Sequence, residues 1–195
     1  MSDWQTFERK HVWHPYASML DAPRVWPVAG ADGVRLKLAD GRELIDGMSS
    51  WWCAIHGYNV PELNQAIEHQ LGQMAHVMFG GLTHEPAARL AEKLLEIAPK
   101  GIKKVFFADS GSVSVEIAIK MALQYWQACG ASGKSKLLTI RHGYHGNTFG
   151  AMGVCDPVSG IHSLFSGMLP QHFFADAPPN GTDADWHDKI GRAHV

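Results

Sequence analysis

The sequence is poor in the features that announce several large classes of protein. Its 195 residues include three cysteines, Cys53, Cys129 and Cys155, far apart and without a C-x-x-C pair. That usage argues against a disulfide framework or a cysteine zinc site and fits a reducing cytoplasm. No apolar run approaches the roughly 18 residues of a membrane span. The N-terminus, MSDWQTFERKHVW, lacks the basic head and apolar run of a secretory signal. Charge of either sign is scarce and unclustered: 17 basic and 19 acidic side chains give a formal −2. This leaves no electrostatic footprint for nucleic acid or a membrane surface. A Walker loop, a G-x-G-x-x-G turn and a G-x-S-x-G elbow are also missing, which argues against nucleotide, dinucleotide and serine-hydrolase chemistry of the usual kinds.

What is present is apolar and glycine-rich. Hydrophobic residues make up 46% of the chain, with 20 glycines and 7 tryptophans. This is enough for one domain, or one and a fraction. Residues 1–30 concentrate aromatics and prolines, so no long helix continues past the first two turns. GVRLKLAD and GRELIDG read as two short strands joined by an Asp40-Gly41 hairpin turn. Leu63, Ala66, Ile67, Leu71, Met74 and Val77 then recur at helical spacing behind Pro61, which suits a first helical position. A second helix is predicted over Glu85–Ala98 with Leu90, Leu94, Leu95 and Ile97 inward, closed by Pro99 and Gly101. Val105–Ala108 reads as a buried strand. An amphipathic helix follows, with Val113, Ile117, Met121 and Tyr125 on one face. Lys136–Arg141 reads as another strand, and a turn and short helix come after it. The alternation predicts an α/β domain with a largely parallel sheet.

Three stretches can carry chemistry. Asp109-Ser110-Gly111-Ser112, between strand and helix, offers unpaired N–H groups, a partial positive charge and close backbone approach, which suits a phosphate. The same residues suit an ordinary N-cap, and both readings stand. Gly143-Tyr144-His145-Gly146 follows the next strand, where ligands of open α/β sheets bind. Its tyrosine either lies against a planar ligand or packs on a neighbour. Ser49-Ser50-Trp51-Trp52 places two adjacent tryptophans that cannot both face inward in an extended segment, so one lines a cleft or interface, or stands on the surface. The pairs His11/His14 and His142/His145 sit outside helical context and lack a third ligand, so no metal site is predicted.

Taken in order, HVWHPY, GRELIDGMSSWWCAIHGYN, HVMFGGLTHEPA, VFFADSGSVSVEIAIKMALQYW and RHGYHGNTFGAMGVCDP resemble the class III aminotransferases over roughly residues 7–170. The resemblance implies a fold-type I pyridoxal-phosphate (PLP) enzyme, normally a homodimer. Its parts would be an N-terminal arm with small-domain strands over 1–58 and the first part of the large cofactor domain over 59–189. WHPY and SSWW point to members that use S-adenosylmethionine as amino donor and 8-amino-7-oxononanoate as acceptor, yielding 7,8-diaminononanoate in biotin biosynthesis. Rival readings are another class III aminotransferase acting on an ω-amino acid or ornithine, and a phosphate-binding module without catalysis.

By position, the resemblance implies that Gly111 and Ser112 hold the PLP phosphate and that Tyr144 stacks on the pyridine ring. Trp51 would line the substrate pocket, Tyr16 and Tyr144 would contact substrate, and Trp52 and His145 would be neighbours. Asn147 stands where similar enzymes often carry aspartate. The resemblance also places the cofactor-binding lysine, the acid at the pyridine nitrogen and the carboxylate-binding arginine beyond position 195. The last six residues, Ile190 to Val195, can be encoded by ATCGGAAGAGCACACGTC, a common sequencing-adapter string. They are therefore expected to be non-native, and the chain to be a fragment.

Overall fold

The computed structural model describes residues 3–158 and 162–177; the suspected tail at 190–195 lies outside them. The chain divides into two compact units, Met1–Ala88 and Arg89–Val195.

The first unit opens with helix α1 (Asp3–His11), whose acidic first turn and basic last turn complement the helix dipole. Strands β1 (Val28–Asp32), β2 (Arg35–Leu38) and β3 (Glu43–Ile45) then form an antiparallel meander. Leu36 sits opposite Ala31 on one side and Leu44 on the other. The Asp40-Gly41 turn forms where the sequence predicts it. Gly41 takes φ +88°, and the Asp40 carboxylate accepts the Arg42 backbone N–H at 3.1 Å and its Nε–H at 2.9 Å. β1 was not anticipated, because Val28–Asp32 has no alternation of its own and is a strand only by pairing with β2. A single turn, α2 (Ser49–Trp52), follows, and then α3 (Pro61–Gln73) with proline in its first turn. Helix α4 (Glu85–Ile97) runs across the boundary between the units and ends before Pro99.

In the second unit, the 18-residue helix α5 (Gly111–Ala128) leads to β4 (Leu138–Ile140), then α6 (Phe149–Gly153) and β5 (Phe173–Ala175). The two strands are parallel, with Thr139 opposite Phe174. Buried Ala151, Met152, Val154 and Cys155 form the core here.

Two expectations from hydrophobic pattern do not hold. Val105–Ala108 is not a strand, since none of the described residues pairs with it, and Phe106 stands exposed. Leu90, Leu94 and Ile97 are exposed rather than inward. On α5 the expected face holds in part: Val113 and Ile117 are half-buried, together with Ser112, Val115, Glu116, Ile119, Ala122 and Leu123, while Met121 and Tyr125 are exposed. Polar residues join that covered face because α6 and the loop before it pack there.

Exposed apolar side chains on this scale, from Trp13 and Trp52 to Phe106 and Met168, mark surfaces that seek cover. The 195-residue chain expressed alone is expected to self-associate and to bind a hydrophobic dye. A species of 21.4 kDa in light scattering, without dye binding, would contradict this.

Candidate functional site

The start of α5 is set by Ser110, in extended backbone, whose Oγ accepts the Val113 N–H at 3.2 Å. The Ser114 N–H and hydroxyl both donate to the Ser110 carbonyl, at 2.9 and 3.0 Å. Serine therefore does cap this helix, as the plainer reading expected. Capping leaves the N–H groups of Gly111 and Ser112 without an acceptor among the described residues, at the positive end of a long helix. A Cβ at Gly111 would meet nothing within 4 Å, so this glycine faces open space. A helix start of this kind suits an anion.

The loop after β4 closes onto the same spot. Asn147 N–H donates to Ser112 Oγ at 3.0 Å. Gly146 has φ +130°, and a Cβ there would lie 2.8 Å from Ser112 Cα. Only glycine lets the loop approach the helix this closely. The two motifs singled out in sequence are thus brought into contact, through Ser112. Tyr144 is 62% exposed. Its hydroxyl donates to Asn147 Oδ1 at 3.0 Å, and its ring lies 6.1 Å from that of buried His162, inclined by 25°. A ring supported on one side and largely open suits a flat ligand.

Three side chains that the sequence did not single out hold this loop. Asp156 is buried. Its carboxylate accepts the N–H of His142 at 2.8 Å and of Val158 at 2.9 Å, with Arg141 Nη1 at 3.6 Å. His142 itself has φ +61°. Buried Cys155 accepts the His145 N–H at 3.2 Å, and its thiol reaches the Ala151 carbonyl at 3.2 Å. His145 Nε2 lies 3.5 Å from Thr139 Oγ1.

Glu116 anchors α6 by accepting the Gly150 N–H at 2.7 Å. The buried Thr148 hydroxyl lies against the same carboxylate without a hydrogen bond of ordinary geometry. That hydroxyl first, then the Gly150 and Ala151 N–H groups, hold the Glu116 carboxyl below its ordinary value of 4.5. A carboxyl more acidic in the folded state stabilises at neutral pH, and this contribution is lost as pH falls through the lowered folded value. Glu116→Gln in the complete protein is therefore expected to lower the denaturation midpoint at pH 7, with the deficit shrinking as pH falls through the lowered folded value. A deficit that persists unchanged at low pH would contradict this.

In the first unit, Tyr16 (φ +58°) and Trp51 (φ +58°) stack with ring centroids 5.8 Å apart and an 18° tilt. Both rings are exposed, as is Trp52. Asp46 accepts the N–H groups of Met48 and Ser50 and the Tyr58 hydroxyl. The Tyr58 hydroxyl first, then these N–H groups, hold its carboxyl below the usual range, and the phenol is pushed up in return. Sequence reasoning missed Asp46, although aspartate two residues before a backbone donor is a recognisable turn signal. Asp156, before Pro157, carried a similar one.

Comparison with known proteins identifies a family. The family model described as aminotransferase class-III matches residues 18–193. The adenosylmethionine-8-amino-7-oxononanoate aminotransferase of Buchnera aphidicola subsp. Baizongia pistaciae is 52% identical over 94% of this chain. The chain spans 42% of that relative's length. Among solved structures, the enzyme of the same name from Methanocaldococcus jannaschii superposes with a TM-score of 0.83 at 31% identity, over 97% of this chain and 44% of its own. An amine transaminase from an uncultivated Pseudomonas species, in its PLP-bound form, gives 0.77 at 30% identity, over 95% and 44%.

Proposed function

This chain belongs to the class III aminotransferase family, and from that premise we propose that the complete protein transfers an amino group from S-adenosylmethionine to 8-amino-7-oxononanoate, giving 7,8-diaminononanoate for biotin biosynthesis. The observation carrying this is the 52% identity along nearly the whole chain to a relative of that name. It is supported by the WHPY and SSWW segments of the sequence, the second of which lies within the family match at residues 18–193. The fold is that of the fold-type I transaminases to which the chain is similar.

The cofactor is pyridoxal 5'-phosphate, which when bound supplies an electron sink for proton removal beside the transferred nitrogen. Gly111 and Ser112 would grip its phosphate through the open helix start. Tyr144 would lie on its ring, held in plane by Asn147 and His162. Here an amide accepts from the tyrosine hydroxyl at 3.0 Å, so the hydrogen bond survives aspartate's absence while the local negative charge does not. Trp51 and Tyr16, stacked on each other, would wall the substrate. Tyr144 would also touch it.

The lysine that binds the cofactor, the acid at the pyridine nitrogen and the arginine for the substrate carboxylate belong, in this reading, outside residues 1–195. Residues 1–58 then serve as arm and small-domain strands, and 59–189 as the beginning of the cofactor domain. A cytoplasmic homodimer is the expected assembly. The exposed apolar surfaces are consistent with further chain and a partner covering them.

The rival reading is action on an ω-amino acid or ornithine. Growth of a biotin-requiring strain lacking this step, supplied with the complete natural gene, decides between them. Rescue is expected. Soluble expression without rescue would favour the rival.

A further inference from the structure

The turn that carries Trp51 is wound against the preference of each of its residues. Ser49, Ser50, Trp51 and Trp52 all have positive φ, from 45° to 74°, and none is glycine. Left-handed backbone crowds Cβ against the following carbonyl, so a run of it persists only where its surroundings enforce it. Backbone bonds from Trp52 to Met48 at 3.2 Å and from Ala54 to Ser49 at 2.9 Å close the turn, and one carboxylate grips it from the side. Asp46 Oδ1 accepts the Met48 N–H at 2.9 Å; Oδ2 accepts the Ser50 N–H at 2.7 Å and the Tyr58 hydroxyl at 2.6 Å.

Both sides of this clamp are tied to the sheet. Asp46 follows β3, and its own N–H donates to the Val34 carbonyl at 2.9 Å. Tyr58 exchanges backbone hydrogen bonds with Gly33, at 2.7 and 3.2 Å. Gly57 permits that approach: a Cβ there would lie 2.8 Å from the Gly33 oxygen.

We infer that Asp46 is a positioning residue, whose carboxylate holds the left-handed turn 49–52 and thereby fixes the Trp51 ring against Tyr16. The inference rests on the reading of Trp51 as part of the substrate wall. Without the charge, the turn relaxes toward commoner backbone and Trp51 leaves its place. The contacts of Ser112 and Tyr144 involve none of these residues and persist.

The test uses the complete, PLP-loaded protein. Asp46→Asn keeps the volume and removes the charge and one acceptor. It is expected to raise the KM for 8-amino-7-oxononanoate about tenfold, the effect of losing one charge-assisted hydrogen bond. The Kd for PLP, read from its visible absorbance, should stay unchanged. Adding Ser50→Gly, which accepts positive φ freely, should bring the KM back to within about threefold of wild type. General destabilisation would not be rescued this way. A KM rise accompanied by an equal loss of PLP affinity, unrelieved by Ser50→Gly, overturns the positioning role.

Trp51→Ala separates the inference from its premise. An unchanged KM in Trp51→Ala defeats the substrate-wall reading itself. A raised KM there, with Asp46→Asn unaffected, defeats the Asp46 proposal alone. If Asp46→Asn does not accumulate as folded protein, Tyr58→Phe carries the test by removing one of the carboxylate's partners. It should raise the KM in the same direction, about threefold, and no change would overturn the proposal.

Discussion

Replacing Gly146 by alanine in the complete protein is expected to cost about 3 kcal/mol of stability and to abolish firm PLP retention. Two effects add. A non-glycine residue at φ +130° is strained, and the new Cβ would press on Ser112 Cα at 2.8 Å, a backbone atom that cannot rotate away. Relief requires the loop to withdraw from α5. Withdrawal breaks the Asn147-to-Ser112 hydrogen bond and carries Tyr144 off with it. Gly111→Ala is the matched comparison. Its Cβ meets no protein atom within 4 Å, and alanine suits a helix better than glycine. That substitution should leave stability unchanged while weakening PLP, because in the proposed site the methyl would stand where the phosphate approaches. Denaturant unfolding and PLP titration of both variants check the pair. Equal stability losses in the two would contradict the assigned geometry.

Asp156→Ala should be nearly as damaging, at about 2–4 kcal/mol, although Asp156 touches no ligand in this account. Its loss leaves the His142 and Val158 N–H groups without their acceptor and Arg141 without its nearby carboxylate. The left-handed His142 then loses the 2.8 Å hydrogen bond to this carboxylate, and the loop carrying Tyr144 starts there. Asp156→Asn, which keeps the shape and one acceptor, should cost less than half as much. Chemical denaturation of the complete protein measures both. A loss under about 1 kcal/mol for Asp156→Ala, within the range of ordinary surface substitutions, would show that the loop is held by other means.

Local chemistry made much of this legible in advance. The Asp40-Gly41 hairpin, the proline-led α3 and the serine cap of α5 follow from residues within a few positions of each other. So did the motifs of the proposed cofactor half, because glycine and serine at a helix start announce open donors wherever they occur. Pairing and packing were less legible. Val105–Ala108 has strand composition, yet a strand exists only with a neighbour, and none of the described residues supplies one. Hydrophobic periodicity assigned Leu90, Leu94 and Ile97 to a core, but periodicity names the face that seeks cover without providing it. The anchoring carboxylates were hidden for another reason. Glu116 meets Gly150 across 34 residues and Asp46 meets Tyr58 across 12, and no local pattern records such partnerships. The left-handed turn at Ser49–Trp52 contains no glycine to betray it.

In the proposed function this chain supplies the phosphate- and ring-holding half of a PLP aminotransferase that aminates 8-amino-7-oxononanoate. The most direct measurement is amino transfer by the purified complete protein, with S-adenosylmethionine and 8-amino-7-oxononanoate, before and after PLP removal. The expected result is 7,8-diaminononanoate formation that disappears with the cofactor, returns on its addition, and is strongly reduced in Tyr144→Leu. Transfer only to other keto acceptors, or product formation indifferent to PLP, would contradict it.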